Sequence, residues 1–381
     1  MTTDFIIGAD FSTLEETERL GGVFYENGKA VRLEECLAGN GVSSVRLRIW
    51  NDPYSADGTE YGGGTCDKDR IIRIAKRAKA QGMSVMLDFH YSDFWCDPSR
   101  QCVPKAWKNK SLDEMCSAIY DYTKETVQSF AKEGVSPEYI QVGNEITNGM
   151  LWPTGKLDWE NPEGLSEDFD RLSRLVKAGT DAVRACSDAK IIIHLERSGD
   201  NKLWRDWFDN MTGRGLDFDI IGASYYPLWH GNFEELKANL DDMTDRYNKD
   251  ILIVETSYPF TEKHHDPEKK SLVFGEDFQR PDGSKPGYPF SIEGQTAFMH
   301  DLIETALKVK DGRCKGIYYW EPGWLPLKNS TWATMAALKD IGEEEKGIGN
   351  EWANQCLFDY GGNVNPAINE FRRFKPSGMN G

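Results

Sequence analysis

The sequence predicts an α/β fold, a (β/α)8 barrel of the TIM type formed by one domain over residues 1–381, with long loops at its carboxyl-terminal face. Eight short apolar runs recur along the chain, and helical patterns lie between most of them. Strands that alternate with helices pair in parallel through right-handed crossovers. No proline-rich or low-complexity segment divides the chain, and its 381 residues fall within the barrel range of about 200 to over 400.

The eight predicted strands are short and rich in Ile, Val, Leu or aromatic residues. In chain order they are Phe5–Ala9, Ser44–Ile49, Ser84–Phe89, Tyr139–Gly143, Lys190–Leu195, Ile220–Ala223, Ile251–Val254 and Gly316–Tyr319. A doubly wound sheet is the alternative, and it usually carries a glycine-rich phosphate loop after its first strand. Gly8 and Asp10 are followed by no GxGxxG pattern, and Gly62–Gly64 follows no predicted strand, so the barrel is favoured.

Five amphipathic patterns predict helices between the strands. They are Asp67–Gln81, Ser111–Glu133, Ser166–Cys186, Phe233–Tyr247 and Gln295–Lys310. Ser111 and Glu114 form a capping box at the start of the second pattern, and Gly134 ends it.

The charge balance excludes several classes of partner. The chain has 45 Lys and Arg against 62 Asp and Glu, a formal net charge of −17. We therefore expect no nucleic acid partner and no anionic membrane partner, since both would be repelled. No apolar run approaches the ~18 residues that a membrane span needs, and we expect a monomer.

The chain has no C-x-x-C pattern, but Cys96 and Cys102 are close enough in sequence to form a disulfide.

Function in a barrel sits at the carboxyl ends of the strands, and Glu145 and Glu255 lie at the ends of the fourth and seventh runs. A carboxylate at this position is costly unless paired, hydrogen-bonded or protonated, so each could be a structural acid in an ion pair. Two of them on a rim with Trp and Tyr favour catalysis, because opposed carboxylates can act as acid and nucleophile on an acetal. Asn144 could then hold a sugar hydroxyl through its amide donors.

A metal-dependent hydrolase is the alternative for the histidines of the sequence. The candidate ligands would be His90, His194, His264 and His265. Such sites usually need closely spaced ligands, and the chain has no H-x-H or H-E-x-x-H pattern. We therefore expect no metal in the site. His90 instead follows Asp88 by two residues on the same strand face and could hydrogen bond with it.

Short segments at the ends of all eight predicted strands share one family pattern. They are Gly8–Asp10, Val45–Trp50, Asp88–Trp95, Gln141–Ile146 with Gly149–Pro153, Ile193–Leu195, Ser224–Pro227, Val254–Thr256 and Tyr318–Pro322. In combination they resemble glycoside hydrolase family 53, the endo-β-1,4-galactanases, over nearly the whole chain. Asn144 with Glu145 would mark only the wider clan of retaining barrel glycosidases, whereas Gly149–Pro153 and Trp320–Pro322 are more specific.

The resemblance implies that Glu145 is the general acid/base and Glu255 the nucleophile, with retention at the anomeric carbon. The resemblance also implies Arg46, Asn144 and Tyr225 as supporting groups. His90 and Asp88, which are paired by their spacing, would support the site as well. A cation near Glu255 would keep that nucleophile ionised. Because Arg46 and Arg48 share one strand face, either of them could supply it.

We expect Trp320 to form the floor of the sugar site, since apolar faces of sugars stack on aromatic rings. Further candidates for substrate contact are Trp50, Trp95, Trp152 and His194, although each Trp could equally pack a loop. All twelve tryptophans lie at or after predicted strand ends, outside the five helical patterns, which is where a sugar-binding cleft would need them.

The resulting hypothesis is a retaining endo-β-1,4-galactanase that acts without a cofactor on β-1,4-galactan in the arabinogalactan side chains of pectin. One alternative is a retaining glycanase acting on mannan, xylan or glucan. Another is a barrel that binds polysaccharide without catalysis, which we would expect to lack one of the two acids. Both Glu145 and Glu255 are present.

The resemblance raises two further expectations. Bacterial relatives often hold a structural calcium in the loop after the seventh strand, but Thr261–Lys270 lacks their alternating Asp and His pattern. A structural calcium is thus possible from the resemblance, but the loop pattern does not support it. Secretion after removal of a signal peptide is implied by the resemblance, whereas a native start at Met1 would favour the cytoplasm, and the sequence leaves both open.

Overall fold

The computed structural model describes residues 5–266, 271–273 and 287–374, which form a closed barrel of eight parallel strands. The strands, β1 to β8 in chain order, are Ile6–Asp10, Ser44–Ile49, Ser84–Phe89, Tyr139–Val142, Lys190–Leu195, Ile220–Ser224, Asp250–Thr256 and Cys314–Trp320. Each pairs with its neighbours in sequence order, and β8 closes the barrel on β1. The predicted (β/α)8 barrel is confirmed, and each predicted strand overlaps an observed one.

Helices surround this barrel. In the described residues they are α1 to α9: Leu14–Arg19, Leu33–Gly39, Lys68–Ala80, Leu112–Lys132, Leu165–Cys186, Asn201–Gly213, Phe233–Tyr247, Ile292–Leu307 and Met335–Ile341. The five predicted helices are all present, and the capping box of Ser111 and Glu114 forms as expected. Helices α1, α2, α6 and α9 were not predicted from the sequence, and three of them are only six or seven residues long.

The missed helix α6 changes the interpretation of the tryptophans. Trp204 and Trp207 lie within it, are fully buried and pack edge-on against Phe208. These two tryptophans lie outside the five predicted helical patterns, but they are helical residues and not part of a cleft. They belong to the core between helix and sheet because they lie on the apolar face of an amphipathic helix.

The barrel interior has an apolar half and a charged half. Near the amino ends of the strands, buried Met86, Ile192, Leu252 and Tyr318 belong to one interior apolar cluster. Gly8 is required there, because a Cβ at that position would lie 2.1 Å from the Tyr318 ring. Toward the carboxyl ends the interior carries ionised groups, and this polarity places the candidate site at that end of the barrel.

Strand β2 contributes one face to the apolar core around the barrel and the other to the charged barrel interior. All six of its residues are buried, and side chains alternate between the two faces of a strand. Val45, Leu47 and Ile49 join the main apolar core, while Arg46 and Arg48 form ion pairs with Asp10 inside the barrel. An arginine side chain inside a barrel is stable only when carboxylates and amides satisfy its donors.

Two further expectations concern cysteines and membranes. Cys96 and Cys102 are free thiols, so the disulfide considered from the sequence is not formed. The Cys96 thiol instead donates to the His90 carbonyl at 3.0 Å. Among the residues described, no helix has the length and apolar character needed to cross a bilayer.

Candidate active site

A cavity of about 1020 Å³ opens at the carboxyl ends of the strands and contains both predicted catalytic carboxylates. Glu145 follows β4, and Glu255 is the penultimate residue of β7. Glu145 has a φ of 49°, a left-handed backbone conformation that is costly for a residue with a side chain. Strain of this kind persists only where the surroundings enforce it, and here it lies at the residue that carries the carboxylate.

The two carboxylates lie close to each other. Glu145 and Glu255 each have a carboxyl oxygen within 4.8 Å of the other's. Both line the same cavity at this short separation, which distinguishes the pair from two carboxylates on opposite sides of a wide cleft.

Arg46 holds Glu255 in place. Its Nη1 contacts Glu255 Oε2 and Asp10 Oδ2, each at 3.1 Å. Its Nη2 donates to Asp88 Oδ2 at 2.9 Å and Asn144 Oδ1 at 2.8 Å. Its Nε donates to Gln141 Oε1 at 3.2 Å. Four of these contacts are hydrogen bonds and the contact with Glu255 is an ion pair, so each of the three guanidinium nitrogens of Arg46 has a partner that fixes its position.

Arg48 has different partners. Its guanidinium contacts Asp10, Glu321 and the carbonyl oxygen of Gly63. It lies over the Trp95 ring at 4.2 Å from the centroid. The choice that the sequence left open is thus resolved, since Arg46 and not Arg48 contacts Glu255.

The environments of the two carboxylates separate their proton affinities. Burial raises the pKa of Glu145 well above its ordinary 4.5, and the carboxylates of Glu255 and Glu196 raise it further. Burial also raises the pKa of Glu255, but the Arg46 cation and a hydrogen bond from Tyr226 oppose that shift. These opposed influences favour the proton on Glu145 over Glu255.

The tyrosine expected at the site is displaced by one residue. Tyr226, not Tyr225, donates from its hydroxyl to Glu255 Oε1 at 2.8 Å. Tyr225 donates to the Gly231 carbonyl, and its ring packs on Phe233 and Phe298. The prediction of Tyr225 is therefore corrected to Tyr226, because successive residues beyond a strand end point to opposite sides and only one faces the cleft.

His90 and Asp88 support the site as expected from their spacing. His90 Nε2 lies 3.1 Å from Asp88 Oδ2, and His90 Nδ1 accepts from the Cys96 backbone N–H at 2.9 Å. His90 therefore carries its proton on Nε2 and donates to Asp88. Asp88 also accepts from Arg46, so it acts on Glu255 only through that cation, and His90 alone of the two lines the cavity.

His194 lies behind the cavity wall rather than in it. It is fully buried, and its Nε2 lies 2.8 Å from Ser224 Oγ, whose hydroxyl donates to Glu145 Oε1 at 2.6 Å. The expectation of direct substrate contact by His194 is wrong, because Ser224 and Glu145 stand between it and the cavity.

The aromatic residues divide into cavity walls and packing. Trp320 and Trp95 line the cavity, as expected. Trp50 is buried behind Trp95 and Phe94. The indole of Trp152 donates to the Asn148 carbonyl and lies outside the cavity lining. Trp50 and Trp152 are therefore corrected to structural residues.

Several cavity residues were missed by sequence reasoning. They are Glu196, Arg197, Trp229, His230, Trp324, Trp332 and Trp352. Most of them lie on loops one to several residues beyond a strand end, and their distance from the barrel axis depends on how each loop folds. The only available signal was their position after strands.

One cluster in the described residues has the composition of a metal site, namely Glu145, His194 and Glu255. However, the His194 Nδ1 accepts from the Glu145 backbone N–H at 3.3 Å, and Nε2 is bonded to Ser224. Both ring nitrogens are thus engaged within the protein. In the loop considered for calcium, residues 267–270 lie outside the described residues, and His264 Nδ1 accepts from the Ser271 N–H.

Comparison with known proteins agrees with this geometry. A model described as Glycosyl hydrolase family 53 matches residues 6–371. An endo-beta-1,4-galactanase of Bacillus subtilis is 36% identical over 98% of this chain and 86% of its own length.

Solved structures give the same result. The GH53 catalytic domain of Ignisphaera aggregans has a TM-score of 0.87 and 36% identity, covering 97% of this chain and 96% of its own. A structure from a study of two fungal beta-1,4-galactanases has a TM-score of 0.75 and 32% identity, covering 97% and 99%. The chain therefore belongs to glycosyl hydrolase family 53 and is a glycoside hydrolase.

Proposed function

We propose that this glycoside hydrolase is a retaining endo-β-1,4-galactanase that cleaves β-1,4-galactosidic bonds in galactan and in the arabinogalactan side chains of pectin. The observation that carries the mechanism is the approach of Glu145 and Glu255 to within 4.8 Å. Retaining glycosidases hold their carboxyl groups about 5–5.5 Å apart, whereas inverting enzymes need about 6.5–9.5 Å to admit a water. The substrate is supported by the names of the bacterial and fungal relatives.

In the first step, Glu255 attacks the anomeric carbon while Glu145 donates its proton to the leaving glycosidic oxygen. Glu255 suits the attack because Arg46 and Tyr226 hold one oxygen each, at 3.1 Å and 2.8 Å, and favour the ionised form. Glu145 suits the donation because its raised pKa keeps the proton available near neutral pH.

In the second step, Glu145 is a carboxylate and removes a proton from water, which attacks the anomeric carbon and releases Glu255. Two displacements at one carbon return the original β configuration. Formation of the covalent intermediate neutralises Glu255 and thereby removes one of the charges that raise the pKa of Glu145. The pKa of Glu145 is consequently lower in the covalent intermediate than in the free enzyme. This change lets Glu145 act as an acid in the first step and as a base in the second.

A series of rings supports action within a chain rather than on a single sugar. It runs from Tyr226 through Trp352 and Trp320 to Trp95, with centroid separations of 5.7, 4.6 and 5.8 Å. Successive rings are turned by 84°, 81° and 55° against each other, so they offer separate aromatic surfaces to the cavity and could contact more than one pyranose ring.

The deciding experiment incubates the protein with galactan, arabinogalactan, mannan, xylan and glucan and follows product sizes over time. We expect release of mixed short oligosaccharides from galactan first, with slow or no release from the other three backbones. Proton NMR of the first products should show β anomers before mutarotation. Preferred cleavage of mannan, xylan or glucan would contradict the proposed substrate, and α anomers as first products would contradict retention.

A further inference from the structure

Ser224, the last residue of β6, lies between His194 and Glu145. Its Oγ lies 2.8 Å from His194 Nε2 and 2.6 Å from Glu145 Oε1. All three side chains are buried, so bulk water cannot replace the hydrogen bonds of this series. Each bond in it must therefore have a definite direction.

The direction is set at the far side of His194. The Glu145 backbone N–H points at His194 Nδ1 at 3.3 Å. Asn144 Oδ1 lies 3.0 Å from the same nitrogen, but this oxygen already accepts from the Arg46 guanidinium and the Gln141 amide. A backbone N–H can only donate, so Nδ1 must be the unprotonated nitrogen. Burial lowers the pKa of His194 well below its ordinary 6.5, and Arg46 lowers it further, so the ring is neutral. The single ring proton then sits on Nε2 and is donated to Ser224 Oγ.

A serine hydroxyl has one hydrogen. Because Ser224 Oγ accepts from His194, that hydrogen is directed at Glu145 Oε1, which must accept it. An oxygen that accepts from Ser224 is the carbonyl oxygen of a protonated carboxyl group. The acid proton of Glu145 is thereby restricted to Oε2.

We propose that Ser224, oriented by His194, is a positioning residue that directs the acid proton of Glu145 to Oε2 for transfer to the leaving group. This rests on the proposed role of Glu145 as general acid. In the second step the same Ser224 bond stabilises the Glu145 carboxylate while Oε2 removes the proton from water. The groups that bear on Glu145 from neighbouring elements are Glu255, Glu196 and Asp97, all of which favour its protonated form.

The test compares Ser224→Ala with Ser224→Thr, which keeps a hydroxyl, and with Ser198→Ala. Ser198 is a matched control because it is equally buried and donates to the Ser224 carbonyl at 2.7 Å without touching a carboxylate. Each variant is assayed for kcat/KM on galactan and on a 2,4-dinitrophenyl β-galactobioside, whose leaving group needs no proton. Melting temperatures confirm that each variant is folded.

We expect Ser224→Ala to lower kcat/KM on galactan by about 10- to 100-fold, the value of one hydrogen bond to a charged group. Its kcat/KM on the dinitrophenyl substrate should fall by less than about 3-fold. Ser224→Thr should restore most of the galactan activity, and Ser198→Ala should show no difference between the substrates. Since the Ser224 bond lowers the pKa of Glu145, Ser224→Ala should also move the alkaline limb of the galactan profile to higher pH.

Equal losses on the two substrates with Ser224→Ala, or an alkaline limb that does not move, would overturn the inference. Glu145→Gln, assayed in parallel, separates this from failure of the proposed function. If Glu145→Gln distinguishes the substrates and Ser224→Ala does not, only the role of Ser224 fails. If Glu145→Gln lowers both equally, the assignment of Glu145 as proton donor fails.

Discussion

Arg46 and Arg48 lie two residues apart on β2, are equally buried and share Asp10 as a partner, yet only one serves the cavity. Each nitrogen of the Arg46 guanidinium donates a hydrogen bond, and Nη1 also forms the ion pair with Glu255. Arg48 contacts Glu321, and its buried Nε has no hydrogen-bond partner among the residues that the structure describes. The fully bonded guanidinium of Arg46 lies beside Glu255, the carboxylate whose proposed role requires a fixed position. The partly bonded guanidinium of Arg48 lies beside Glu321, whose charge need only be neutralised.

The carboxylates that pair with these two arginines differ in their access to the cavity. Glu255 is the penultimate residue of β7 and Glu321 directly follows β8. Glu255 is 8% exposed and lines the cavity, whereas Glu321 is 0% exposed. Glu321 is enclosed by Arg48 and by the backbone N–H and hydroxyl of Thr13. A strand-end glutamate with a buried arginine is therefore not by itself a catalytic residue, and access to the cavity distinguishes the two.

The largest expected effect comes from Glu255→Ala, which removes the proposed nucleophile. We expect turnover of galactan to fall by at least ~10⁴-fold. External azide should restore part of the activity, because it fits the vacated space and attacks the anomeric carbon from the same side. The released α-galactosyl azide is detected by mass spectrometry and NMR. The control, Glu321→Gln, should stay within about 10-fold of the parent, and a comparable loss there would remove the distinction between the two carboxylates.

The next effect concerns the arginines. Lysine keeps the charge but cannot reproduce a planar fork with five donors. We expect Arg46→Lys to lower kcat/KM by about 100-fold, and Arg48→Lys to change it by less than about 5-fold.

The pH profile gives a second measurement on these two variants. Arg46 opposes the burial that raises the pKa of Glu255. With a less well-placed cation, Glu255 takes up a proton at higher pH, so the acidic limb of kcat/KM should move to higher pH in Arg46→Lys alone. An unmoved limb in Arg46→Lys, or the same shift in Arg48→Lys, would argue against a specific role for Arg46.

A smaller effect is expected for the two adjacent tyrosines. Tyr226→Phe removes the hydroxyl that donates to Glu255, whereas Tyr225→Phe removes one that donates to a backbone carbonyl. We expect kcat to fall by about 10- to 100-fold in Tyr226→Phe and to remain within about 2-fold in Tyr225→Phe. The reverse order of these effects would restore the tyrosine that the sequence alone suggested.

The smallest effect on activity, but a clear one on stability, is expected for Glu321. Burial raises its pKa from 4.5 to about 7, although Arg48 opposes the shift. The folded protein therefore binds a proton that the unfolded chain releases, and this contribution to stability is present below about pH 4.5 and lost as pH rises through about 7. In Glu321→Gln the decrease in melting temperature between about pH 5 and pH 8 should be smaller than in the parent, and an identical decrease would contradict the raised pKa.

The positions of the barrel strands could be predicted because each depends on a local run of apolar residues. Helix α4 was recognisable from its capping box for the same reason. Helix α6 was not recognised, since its two buried tryptophans resemble strand-end aromatics until the packing of the helix on the barrel is known. Glu145 and Glu255, the carboxylates proposed for catalysis, could be selected from the sequence because in a barrel the carboxyl end of every strand faces one cavity.

By itself, the sequence determined the barrel, its order of strands and the two carboxylates proposed for catalysis. Only the tertiary structure decided that Arg46 rather than Arg48 contacts Glu255, that Tyr226 replaces Tyr225, and that His194 acts from behind Ser224. The physical reason is that alternation along a strand assigns a side chain to a face but not to a partner. Partners are set by the tilt and closure of eight strands at once, and no single segment contains that information.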